Sequence, residues 1–199
     1  MSIITRNCIT GLAVRRDIHW TSEGGDGMAK RRMRKRKPVR LKVVRRILDS
    51  LNENLGIEDD FSDVFLEIAE FGELNLLLGD RVPLVMTIDR PDDLGDVGAV
   101  IFPTLRGLLR WNLEVKWCAV DRGAIPFLMN GADCMAAGVQ MVDPNIERGD
   151  LIWIRDEEHG KPIAMGWALL DAEEMNAAIK GKALRTIHWI GDDLWEVES

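Results

Sequence analysis

Apolar residues recur three and four positions apart at Leu41, Val44, Ile47, Leu48, Leu51 and Leu55, and Gly56 follows them. That spacing predicts an amphipathic helix closed by a glycine. Phe61, Phe65, Ile68 and Phe71 continue at similar intervals and suggest a second helical or mixed segment. Leu74 to Leu78 is apolar throughout, so periodicity cannot assign it. Val82 to Ile88 reads as a strand with Pro83 at its edge. Asp89-Arg90-Pro91-Asp92-Asp93 is turn chemistry, and Val97 to Phe102 reads as the returning strand. Pro103 then opens a short helix through Leu105, Leu108 and Leu109. The first half is therefore expected to be α+β.

The pattern changes after Asn112. Val115 to Val120, Val139 to Val142, Leu151 to Ile154 and Ile163 to Leu169 read as short strands. Asp143-Pro144-Asn145, Arg148-Gly149-Asp150 and His159-Gly160-Lys161-Pro162 supply turns between them. Asp121 can cap a short helix ending near Gly131. Asp171 and Glu174 have capping-box spacing for a helix Ala172 to Lys180, closed by Gly181. Leu184 to Ile190 and Leu194 to Val197 predict a last hairpin around Gly191-Asp192. Evenly spaced short strands with turn signals point to a small β pseudo-barrel with two short helices.

Charge divides the chain differently from hydropathy. The net charge is −7 over 199 residues, yet Lys30 to Arg46 holds 11 of the 26 basic residues and no acid. Residues 47–199 hold 12 basic against 30 acidic residues. Such a body repels phosphate, whereas a block of cations is often a disordered arm that binds a polyanion. Met1 to Gly27 shows neither helical nor strand periodicity and lacks the apolar core of a signal peptide. Met28-Ala29-Lys30 reads as an ordinary protein start, and Gly24-Gly25-Asp26 can be encoded GGA GGT GAT, a ribosome-binding sequence. The expected organisation is a disordered, translated leader over 1–27 and a basic arm over 28–40. An α+β domain over 41–111 and the pseudo-barrel over 112–199 follow.

Glycine signals carry a more specific message. Val120-Asp121-Arg122-Gly123-Ala124, Asn130-Gly131-Ala132-Asp133, Ala137-Gly138-Val139 and Arg148-Gly149-Asp150 occur in that order. Ile163-Ala164-Met165-Gly166, Gly181-Lys182-Ala183 and Ile187-His188 with Gly191-Asp192-Asp193-Leu194-Trp195 complete the series. Together they resemble a PUA domain, the RNA-binding module named after pseudouridine synthases and archaeosine transglycosylases. Ala137 departs from the pattern, because a proline commonly precedes the Gly-Val pair. Phe102-Pro103-Thr104-Leu105-Arg106 resembles the pre-PUA arrangement of the malignant-T-cell-amplified-sequence family. That family includes the yeast translation-machinery-associated proteins and archaeal stand-alone relatives. The resemblance implies RNA binding, ribosome association and a possible translation-factor partner.

Several residues could make such contacts. Gly123, Gly131 and Gly138 let a phosphate or ribose approach the backbone, although turn geometry alone also explains glycine there. Arg122 can add a charge-assisted bond. Lys180, Lys182 and Arg185 form a second cluster, and Lys180 also suits the end of a helix. In the arm, Lys30, Arg31, Arg32, Arg34, Lys35, Arg36 and Lys37 are phosphate-binding candidates. Trp111, Trp117, Trp153, Trp167, Trp189 and Trp195 are expected to fill the core, with Trp189 the one most able to stack a base. His188 reads as a structural hydrogen-bonder, and the acid pairs such as Asp59-Asp60, Asp92-Asp93 and Asp192-Asp193 as solvated faces.

Enzyme readings lack their parts. No Walker loop, Rossmann fingerprint, Gly-x-Ser-x-Gly elbow or His-Glu-x-x-His occurs. Cys8, Cys118 and Cys134 form no Cys-x-x-Cys, so neither zinc nor a disulfide framework is expected, and Cys118 and Cys134 read as buried or incidental thiols. No stretch reaches the roughly 20 apolar residues of a membrane span. The sequence reading is a cytoplasmic, non-catalytic protein with no cofactor, engaging ribosomal small-subunit RNA or tRNA. An accessory for RNA modification and an adaptor with an acidic surface are the alternatives.

Overall fold

The computed structural model describes residues 31–95 and 98–197. The expected leader and Lys30 lie outside the described residues. The first sheet opens with strand β1 (Arg34–Pro38), and helix α1 (Leu41–Leu55) follows at once. Then come β2 (Leu66–Phe71), β3 (Leu74–Gly79), β4 (Val82–Asp89) and β5 (Ala99–Pro103). They pair antiparallel in the order β1-β2-β3-β4-β5. Helix α1 turns Val44 and Leu51 into the core and ends on Gly56, as its spacing requires.

Three expectations change here. Arg34–Pro38, read from the sequence as solvated arm, is an edge strand whose Lys37 and Pro38 stand opposite Ile68 and Glu67. Phe61 to Phe71, read as helical or mixed, is a turn followed by β2. The residues suited both periods, and pairing of Leu66 to Phe71 with Gly79 to Leu74 settled the choice. Pro83 lies in an inner strand, tolerated because the ladder shifts register beside it, between Leu77 and Leu78.

Helix α2 (Leu105–Trp111) starts one residue after the strand rather than at Pro103. Thr104 caps it: its Oγ1 accepts from Gly107 N–H at 3.2 Å and donates to the Pro83 carbonyl at 2.7 Å. That residue therefore fixes α2 to β4.

The second unit runs β6 (Trp117–Val120), α3 (Ile125–Leu128), β7 (Cys134–Met135), β8 (Val139–Val142), β9 (Leu151–Asp156) and β10 (Pro162–Ala168). Helix α4 (Ala172–Ala177) and β11 (Lys182–Trp189) complete it. The strands form one curled six-stranded half-barrel, ordered β7-β11-β10-β9-β6-β8, in which β6 and β9 are parallel. The Asp171–Glu174 capping box is present, but α4 stops at Ala177, three residues short of the expected Lys180. Residues 194–197 form turns instead of a returning strand. Asp192 holds those turns: its Oδ1 accepts from Trp195 N–H at 2.7 Å, and Oδ2 meets the buried His188 Nδ1 at 2.7 Å. His188 is thus a structural hydrogen-bonder, and Asp192 is no solvated acid.

One apolar core crosses between the two units. Leu151, Trp153, Met165, Trp167 and Leu194 of the half-barrel join Leu84, Phe102, Leu105 and Leu108 of the first unit. A Cβ on Gly149, whose φ is +88°, would lie 2.2 Å from the Leu94 carbonyl oxygen, so the junction admits only glycine there. Arg106 donates to the Trp195 carbonyl at 2.8 Å and stacks over the Trp195 ring. Burial separates the tryptophans: Trp153 and Trp167 are core, whereas Trp111, Trp117, Trp189 and Trp195 stay half-buried. A second core fills the half-barrel and contains Cys118 and Cys134 together. A hydrogen bond with Cys134, together with burial, pushes the Cys118 thiol well above its ordinary range, which leaves it a poor nucleophile.

Candidate nucleic-acid interface

The glycine-rich segments converge around α3. Asp121 Oδ1 accepts from Ala124 N–H at 2.9 Å, while Asp121 N–H donates to the Gly138 carbonyl at 3.0 Å. Gly123 is therefore held beside the helix start, and Gly138 faces Ala124. Gly131 ends the turn after α3 with φ +78°, and a Cβ there would lie 2.7 Å from the Trp189 ring. The Trp189 ring packs against this backbone because residue 131 has no side chain. Along the same segments Phe127 is 68 % exposed, and Met129 and Met135 are exposed beside it in sequence. Of these, Phe127 offers an exposed aromatic face of the kind that stacks an unpaired base.

The basic candidates behave differently. Arg122 pairs with Glu158 at 3.1 Å, on the rim of a cavity of about 300 Å³ floored by Val120, Ile125 and Ile163. Lys182 Nζ lies 2.7 Å from Asp133 Oδ2, and Asp133 Oδ1 accepts from Thr186 N–H. Arg185 reaches out of the half-barrel and grips Asp93 with both terminal nitrogens, at 2.6 and 3.2 Å. That hydrogen bonding holds the Asp93 carboxyl below its usual range. Asp93 was expected to be solvated, and so was Asp59, which instead accepts from Arg110 and Trp111 at 2.6 and 2.7 Å. Of the three-residue cluster, Lys180 alone makes no ion pair with a described residue, and it lies beyond the end of α4.

The comparisons with known proteins agree with this geometry. A PUA domain is recognised over residues 116–190. A conserved PUA domain protein of Thermoplasma acidophilum superposes with a TM-score of 0.65 at 31 % identity, covering 80 % of this chain and 97 % of that one. This chain belongs to the PUA-domain protein family. It is 39 % identical over 130 residues to an uncharacterized protein of Methanocaldococcus jannaschii, covering 65 % of this chain and 75 % of the relative. It is 33 % identical over 100 residues to translation machinery-associated protein 20 of Schizosaccharomyces pombe. That match covers 48 % of this chain and spans 55 % of the yeast protein.

Of the eight cations in residues 116–190, Lys116, Arg122, Lys182 and Arg185 are ion-paired and Arg155 stacks on Trp117, which leaves Arg148, Lys161 and Lys180 exposed with no ion pair to a described residue. The arm candidates divide as well. Lys35 pairs with Glu70 at 2.8 Å, and Arg36 chelates Glu67 at 2.7 and 2.9 Å. Hydrogen bonding from Arg36 holds the Glu67 carboxyl below the ordinary range. Arg31 donates its backbone N–H to Asp193 at 3.0 Å and lays its side chain along Gly72. Arg32, Arg34 and Lys37 are exposed and make no ion pair with a described residue. Beside them the structure adds Arg40, Lys42, Arg45 and Arg46, which are also exposed. The charge run already contained those four, and Arg40 fell in the expected arm, but the apolar spacing from Leu41 onward assigned Lys42, Arg45 and Arg46 to a domain helix and away from it. Phe127 was missed because a single aromatic in a four-residue helix has no periodic context. Among the described residues, no group of three or more His, Cys, Asp or Glu could hold a metal ion, and no helix is long and apolar enough to cross a membrane.

Proposed function

We propose that this protein is a non-catalytic RNA-binding protein of the translation apparatus, acting in the cytoplasm on small-subunit ribosomal RNA or tRNA. Its PUA half-barrel receives unpaired nucleotides on the surface of α3, the Gly131 turn and β7. The observation that carries this reading is the exposed Phe127 beside a backbone opened by glycine and backed by the Trp189 ring. Aromatic faces stack bases without regard to sequence, while exposed amides and carbonyls can bond to ribose or base edges. The sequence similarity to a translation machinery-associated protein supports the placement in the translation apparatus.

The test is binding of the full chain to purified small ribosomal subunits and to free tRNA, beside the Phe127→Ala variant. Binding to the subunit that falls about tenfold in Phe127→Ala, with an unchanged melting temperature, is expected from the loss of one stacked base. Binding to tRNA with none to the subunit would instead favour the RNA-modification reading. An unchanged affinity in Phe127→Ala would remove the half-barrel surface from the interface.

A further inference from the structure

We infer that the first sheet carries a separate phosphate-tracking surface, built from edge strand β1 and the N-terminal half of α1. It rests on the RNA-binding reading above and lies in a different unit of the molecule. Arg34, Lys37, Arg40, Lys42, Arg45 and Arg46 are all exposed, and none makes an ion pair with a described residue. No acidic residue interrupts them between positions 31 and 46. The neighbouring carboxylates of β2 are already engaged, Glu67 by Arg36 and Glu70 by Lys35.

The local structure makes this concentration costly to the free protein. Helix α1 has no acidic residue in its first turn and no side-chain cap, so its positive pole adds to the cations instead of being offset by an anion. Lys42 and Arg46 stand one turn apart as like charges, as do Lys42 and Arg45. Elsewhere cations are paired or lie apart: Lys116 pairs with Asp150, Arg122 with Glu158, Lys182 with Asp133 and Arg185 with Asp93, while the exposed Arg148, Lys161 and Lys180 are separated along the chain and form no run. The six cations of β1 and α1 are the one uninterrupted basic run with no carboxylate partner among the described residues, which leaves them open to an external anion.

Shape narrows the anion to a polymer. Arg34 to Lys37 spreads charge over about 10 Å of strand, and the helix from Arg40 to Arg46 covers about 9 Å along its axis. A single small anion would meet two or three of these groups, whereas an RNA backbone meets a row of them. The apolar side of α1 is spent on the core through Val44 and Leu51, and Val43, 66 % exposed, is a single apolar side chain rather than a face that could enter a bilayer. The acidic remainder of the chain repels the same backbone, which orients an approaching RNA toward this end. Contacts of this kind are independent of base sequence and depend steeply on salt.

The test uses the full chain and a mixed-sequence RNA hairpin with a labelled end, followed by fluorescence anisotropy between about 50 and 200 mM salt. Lys42→Gln/Arg45→Gln/Arg46→Gln removes three charges from an exposed helix face. It is expected to weaken binding at least tenfold at low salt and to lower the log–log salt slope by about 2 to 3. Its melting temperature at low salt is expected to equal or exceed that of the parent, which separates lost contacts from lost fold. Phe127→Ala is expected to weaken binding without changing the slope. If the triple variant keeps the parent affinity and slope while Phe127→Ala weakens binding, this surface is not used and the half-barrel reading survives. If the triple variant is affected and Phe127→Ala is not, the reverse holds. Anionic vesicles and polyglutamate serve as competitors, and loss of their binding with RNA binding unchanged would overturn the assignment to RNA.

Discussion

The two units of this protein use their basic residues in opposite ways. In the PUA half-barrel, the clustered cations are structural: Lys182 pairs with Asp133 and Arg185 bridges to Asp93 of the other unit, while the exposed Arg148, Lys161 and Lys180 stand apart in sequence. On β1 and α1, six neighbouring cations hold nothing in the described structure. Charge count alone therefore misplaces the affinity. What matters is whether a cation already has a carboxylate within reach, and a pairing across 92 residues cannot be seen in sequence.

The largest effect that sharpens this contrast lies at the junction. Gly149→Ala forces a Cβ into the Leu94 carbonyl at a left-handed φ. It is expected to cost about 2–3 kcal/mol, read from urea unfolding. Next comes Arg36→Ala, which strips Glu67 of its guanidinium inside the basic region itself. A loss of about 1–2 kcal/mol is expected at neutral pH. Because Arg36 lowers the Glu67 pKa in the folded state, its contribution is present above the unfolded carboxylate pKa of about 4.3. It fades as pH falls through the depressed folded value, so the variant should show a shallower acid limb.

Arg185→Ala should cost less, about 1 kcal/mol, because Asp93 is largely solvent-exposed. Thermal unfolding at low and high salt checks it, since the difference from the parent should shrink with salt. The smallest expected stability effect belongs to Lys42→Gln/Arg45→Gln/Arg46→Gln, within about 0.5 kcal/mol of zero and stabilising if anything. A stability loss above 1 kcal/mol in that variant, by the same unfolding measurement, would place those cations among the structural ones.

Much of the fold was legible because hydrophobic period and turn chemistry agreed. Helix α1, strands β8 to β10 and the Asp171 capping box all follow from local signals. Strand β1 was illegible because edge strands are commonly charged, and Arg34–Pro38 offers no apolar alternation. The β3–β4 turn carries no glycine: Asp80 and Arg81 both adopt positive φ, at 48° and 71°. Asp80 is held there by a bond from Phe65 N–H to its Oδ1. The glycine cluster around α3 was visible in order and spacing. The Trp189 ring against Gly131 was not, since it needs β11 to return beside the α3 turn.

The most direct test neutralises the half-barrel cations instead of those on α1. Lys182→Gln/Arg185→Gln is compared with the parent for RNA affinity across the same salt series and for melting temperature. The account predicts a lower melting temperature with the salt slope unchanged. A slope reduced by about 2 with the melting temperature intact would contradict it. That result would return the phosphate contacts to the PUA domain.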